Sequence, residues 1–61
     1  MNSVWKTLPD DVPVDGATVW IRRWIWVAPF LAVWDEASAS FLCSSGLVCP
    51  WYEIWRWRST T

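Results

Sequence analysis

RRWIWVAPFLAVWDE, residues 22–36, sets Arg22 and Arg23 before eleven apolar residues, Trp24 to Trp34, and closes on Asp35 and Glu36. A helix needs about 20 apolar residues to cross a bilayer, so this run is too short to span one. Pro29 lies within it, where a helix would lose a backbone hydrogen bond and meet a ring clash. Read as β-structure, the segment divides. Phe30, Ala32 and Trp34 point one way and Leu31 and Val33 the other, which makes a strand at about 30–35. WVAP supplies the bend before it, with Pro29 suited to a strand start. Because this strand is apolar on both sides, each face needs a cover. One cover is expected from the N-terminal segment or a curl of the sheet, the other from a second copy or another protein.

Upstream, ATVWIRR alternates Val19 and Ile21 against Thr18, Trp20 and Arg22, predicting a strand over 17–24. Asp15 and Gly16 form a turn signal before it. Residues 1–16 carry Pro9, Pro13 and three aspartates without periodicity, and read as an extended arm anchored by Trp5 and Leu8. Downstream, DEASAS is a turn and SFLCS a short strand with Phe41 and Cys43 on one face. SSGLVCP reads as a loop around Gly46. WYEIWRWR then reads as a last strand opposing Trp51, Glu53, Trp55 and Trp57 to Tyr52, Ile54, Arg56 and Arg58. A helix over 30–42 competes, but it lacks length, a cap and a polar stripe. The expectation is an all-β fold: a small single-domain antiparallel meander of three or four strands. A proline-rich N-terminal arm (1–16) precedes the antiparallel β domain (17–61).

A chain of 61 residues buries only about 60% of the surface its unfolded form exposes. Eight tryptophans are more than so thin a core encloses, and tryptophan is enriched at interfaces. Trp24, Trp26, Trp51, Trp55 and Trp57 are therefore expected as protein-interface anchors, with Arg56 and Arg58 as orienting rim charges. Five basic against six acidic residues argue against general nucleic-acid affinity. The interleaved WRWR of Trp55 to Arg58 is the one feature of the stacking-platform kind.

Arg22 and Arg23, the apolar run and Ala37-Ser38-Ala39 imitate a secretory leader. Twenty-one residues, including Asp10, Asp11 and Asp15, precede the arginines, which is not a leader's arrangement. Cys43 and Cys49 flank SSGLV, where a disulfide is geometrically open to them. Two small buried thiols are the simpler reading. Without histidine the two make a poor metal site, and the nucleophile schemes that need histidine are excluded. Glu53, set among Trp51, Trp55 and Trp57, is the one acid with apolar neighbours, and a structural partner for Arg22, Arg23 or Arg56 is its expected role. Gly16 and Gly46 stand alone, so no phosphate loop is formed. No enzyme activity, cofactor or metal is expected.

Trp5, then Leu8 and Pro9, then Asp15, Gly16, Val19 and Trp20, followed by Pro29, Phe30, Ala32, Trp34 and a terminal Trp57, form a loose signature across nearly the whole chain. It resembles small, mostly uncharacterised proteins of tailed bacteriophages and prophages, which share a W, LP, DG, V start, a central aromatic strand and a PWY ending with a last tryptophan. The resemblance carries no catalytic residues. It implies a phage-encoded virion component, made in the bacterial host cytoplasm and located in the particle. The functional expectation is a non-enzymatic structural or assembly protein, a head or tail accessory subunit whose partners are other copies of itself or other virion proteins. Two alternatives stand beside it: a carbohydrate-binding module for host recognition whose aromatic platform stacks on sugar rings, and a small host-takeover regulator.

Overall fold

The computed structural model describes residues 5–60. Five antiparallel strands form one sheet: β1 (Thr18–Arg22), β2 (Phe30–Asp35), β3 (Ser40–Cys43), β4 (Val48–Pro50) and β5 (Arg56–Ser59). Their order across the sheet is β4-β3-β2-β1-β5. Strand β2 has the bounds that its alternation predicts, and the predicted strand over 17–24 is β1 with its ends trimmed.

Two features differ from the expected meander. SSGLVCP holds a strand, β4, whose Cys49 pairs with Phe41. WYEIWRWR is not continuous: a single 3-10 turn, Trp51–Glu53, interrupts it, and only its end pairs, along β1 rather than β4. A straight strand carried on from β4 would leave β1 with an open edge and the core without a lid. The turn resolves this by resetting the alternation, so Ile54, expected on the face opposite Trp57, is buried at 7% exposure alongside it.

The short link also sets the curvature. Four inter-strand spacings separate β4 from β5, roughly 19 Å if the sheet were flat. The six residue steps from Pro50 to Arg56 would reach about 20 Å only when fully extended, and a 3-10 turn rises only about 2 Å per residue. The sheet must therefore curl until its edges approach, and the link crosses the concave side, where Trp51 and Ile54 meet the core.

That concave face is the core. Val19, Ile21, Ala32, Trp34, Phe41, Cys43, Cys49, Ile54 and Trp57 are buried in it. Cross-strand registry places Ile21 beside Trp57 and Trp34 beside Phe41, the latter rings 4.7 Å apart. Buried indoles need partners for their N–H groups. Trp57 donates to the Asp11 carbonyl at 2.8 Å, and Trp34 donates to Glu36 Oε1 at 2.8 Å. Gly16 takes φ 84° in the turn before β1, where a side chain would be strained. Ala39 adopts φ 52° between β2 and β3 without that freedom, a conformation costing about 1–2 kcal/mol.

Of the expected arm over 1–16, residues 1–4 lie outside the described residues. From Trp5 onward the segment is not simply extended: it turns at Leu8–Asp10, with a cis Leu8–Pro9 bond. Lys6 makes an antiparallel bridge to Trp57, with its N–H on the Trp57 carbonyl at 2.7 Å. Leu8 packs on the core and Pro13 is buried.

Both cysteines are free thiols buried on the core face. They are offset by two residues in the register, since Cys49 pairs with Phe41 and Val48 with Leu42, which sets Cys43 across from Leu47. Burial, then the neighbouring Cys49, pushes the Cys43 thiol up to about 11. Well below pH 9 the thiol is neutral in both folded and unfolded chains. Between pH 9 and 11 the unfolded chain ionises first, so folding stability is expected to drop as pH rises through that window. Thermal melts across it check this: the Cys43→Ala variant should lose less, and an identical decline in both chains contradicts the assignment.

Candidate functional site

The eight tryptophans divide by position. Trp34 and Trp57 are core residues; Trp5, Trp20, Trp51 and Trp55 are half-buried; Trp24 and Trp26 are 54% and 77% exposed. The last two lie in the loop between β1 and β2, flanking Ile25, which is 58% exposed. Their rings stack on each other, centroids 5.8 Å apart and planes within 6°. Covering such a ring removes roughly 150–250 Å² from water when complete. At about 25 cal/mol per Å², their exposed fractions leave on the order of 2–4 kcal/mol of burial unrealised at each.

This loop is fixed by its own first residue. The strand alternation turns Arg22 to the convex face, and its guanidinium reaches back to donate to the Val27 carbonyl at 2.9 Å and to the Ile25 carbonyl. A turn bond from Val27 N–H to the Trp24 carbonyl closes the loop. The cation is in turn held among aromatic rings, 5.8 Å from Trp5 and 5.7 Å from Trp55. Arg56 covers the Trp55 ring at 4.4 Å and Arg58 lies 5.6 Å from Trp5. Cations and indoles thus alternate from Arg56 through Trp55, Arg22 and Trp5 to Arg58. Each contact of this kind contributes about 0.5–1 kcal/mol at a surface. The exposed indoles are therefore presented on a preorganised loop, which lowers the ordering cost of a contact.

The expected anchors fall into two groups. Trp24 and Trp26 come together and are accessible. Trp57 is core at 5% exposure, because pairing with Ile21 turns it inward. Trp51 packs against the core from the 3-10 turn, and Trp55 lies between Arg22 and Arg56. Arg58 braces the loop's support from beside Trp5, whereas Arg56 both covers Trp55 and lines the open groove next to Trp24. Glu53 pairs with Arg23 at 3.5 Å on the surface. A groove of about 300 Å³ beside Trp24 also presents Arg23, Tyr52, Glu53 and Arg56.

The convex face of the sheet carries a second apolar area. Leu31, Leu42 and Val48 are 41%, 43% and 53% exposed, with half-buried Trp20 and Val33 among them. Alternation alone predicts Leu31 and Val33 outward, but Leu42 and Val48 join them only through the β2-β3-β4 register. The role of Arg22 escaped sequence reasoning too, since its guanidinium acts on carbonyls three and five residues away across a bend.

Among the described residues no helix is long and apolar enough to cross a membrane, and no group of three or more metal-ligating side chains comes together. No protein-family model, curated protein or solved structure matches the chain.

Proposed function

We propose that the chain is a non-enzymatic assembly protein that associates through the Trp24-Ile25-Trp26 loop. The resemblance to small phage proteins supplies the setting, a virion accessory subunit of head or tail. The observation that carries the reading is the stacked indole pair held in solvent by the Arg22 clamp. Large aromatic side chains on a rigid support are the usual centres of binding energy at protein interfaces. The open convex face around Leu31 and Leu42 offers further area for the same purpose. Light scattering across a dilution series tests this. Mass should rise with concentration for the native chain, and the Trp24→Ala/Trp26→Ala variant should stay monomeric with its fold intact. A native chain that remains a monomer at every concentration contradicts the reading.

A second reading has one observation in its favour. Sugar rings that stack on an aromatic surface also need directional polar groups, and the groove beside Trp24 brings Arg23, Tyr52 and Glu53 to it. A shift in tryptophan fluorescence on adding polysaccharide, lost in Trp24→Ala, would favour this alternative over assembly.

A further inference from the structure

The molecule is polarised along β2. At the end where β2 begins are the Trp24–Trp26 loop and the cations Arg22, Arg23 and Arg56, with Glu53 the acid paired there. Three acids, Asp15, Asp35 and Glu36, gather at the opposite end. Asp35 and Glu36 close β2, and Asp15 Oδ1 accepts the Glu36 N–H at 3.0 Å. Asp10 and Asp11 stand between Pro9 and Val12, which line a groove that runs from Leu8, shared with the groove beside Trp24, to Trp34, Glu36 and Trp51 at that end. The groove measures about 270 Å³, and all but one of these walls are apolar. It has room for one indole, not for a stacked pair.

A protruding aromatic loop flanked by cations at one end thus faces, on the next molecule, an apolar groove rimmed by carboxylates. We propose that the groove between Leu8, Val12 and Trp51 is the receptor for Trp26 of a second copy of this chain, joining molecules head to tail. Trp26 is the occupant because it is the more exposed member of the pair, 77% against 54%. Trp24, left behind, remains over the rim. The opposed charges orient the approach and fix its polarity, since pairing like ends would bring carboxylates against carboxylates or guanidinium groups against each other. Such a contact is heterologous: each copy uses two different surfaces, so it propagates into a ring or a filament rather than closing as a dimer.

The inference rests on the assembly reading above, and the experiment separates the two. Mass is measured by light scattering across dilution for the native chain, for Trp26→Ala, and for Val12→Arg, which sets a long cation into the groove. Val12 is 46% exposed, so the fold is expected to tolerate the change; Asp10→Arg/Asp11→Arg provides a second groove-end variant that leaves the apolar walls untouched. Each variant alone should associate at least about tenfold more weakly than the native chain. Mixing Trp26→Ala with Val12→Arg should restore association but stop at two chains, because one intact loop then meets one intact groove. Added salt should weaken the native association. If both groove-end variants assemble like the native chain while Trp26→Ala does not, the groove is not the receptor, though the loop remains the adhesive element. If the mixture stays monomeric, the head-to-tail geometry is wrong. A native chain that never associates sinks the assembly reading itself.

Discussion

Trp57→Ala is expected to unfold the protein. Truncating a buried tryptophan costs about 3–5 kcal/mol through lost transfer energy and the cavity left behind. Trp57 is 5% exposed beside Ile21 and Ile54, its N–H satisfies the Asp11 carbonyl, and Lys6 Nζ sits 5.1 Å from its ring. The residue therefore joins the sheet to the N-terminal segment as well as filling the core. At roughly 0.05–0.15 kcal/mol per residue, a 61-residue domain has about 3–9 kcal/mol in total, so this loss is comparable with the whole. Circular dichroism should show no cooperative melt for Trp57→Ala, whereas Trp26→Ala should melt within a few degrees of the native chain. A Trp57→Ala chain as stable as the native one would contradict the placement of this indole.

Arg22→Ala should cost about 2–4 kcal/mol and release the loop. Hydrogen bonds to charged groups contribute about 1.5–3 kcal/mol each, and Arg22 makes two to loop carbonyls while resting between Trp5 and Trp55. Without the guanidinium those carbonyls lose their donor and the two rings lose the cation they share. Arg22→Lys keeps the charge but not the planar fork that spans both carbonyls, so it should fall between. Urea titration gives the stability difference, and hydrogen exchange at Val27 N–H, bonded to the Trp24 carbonyl, reports the loop. Unchanged exchange in Arg22→Ala would mean that the loop holds itself.

The same residues explain what could be read from the letters. Strands β1 and β2 are legible because one face is buried and the other is not, so Val19, Ile21, Ala32 and Trp34 impose a period of two. Local alternation fails at 51–58, where a non-local demand wins: the chain must cross the concave face and add β5 beside β1, and it does so by a turn that sends both Ile54 and Trp57 inward. The surplus of indole was visible as a count, and the loop tryptophans were found among its bearers. Which tryptophans are surplus was not visible, because Trp51 and Trp57 differ from Trp24 and Trp26 only in what folds over them. The clamp and the groove were invisible for the same reason, each being assembled from segments far apart in the chain.

The most direct measurement replaces every tryptophan with 5-fluorotryptophan and follows the fluorine resonances, assigned by single substitutions, as the protein is concentrated. The Trp24 and Trp26 signals should shift and lose solvent contact while that of Trp57, which lines neither the groove that receives Trp26 nor the loop, stays where it is. Loop signals that remain solvent-exposed and unmoved at every concentration would contradict this.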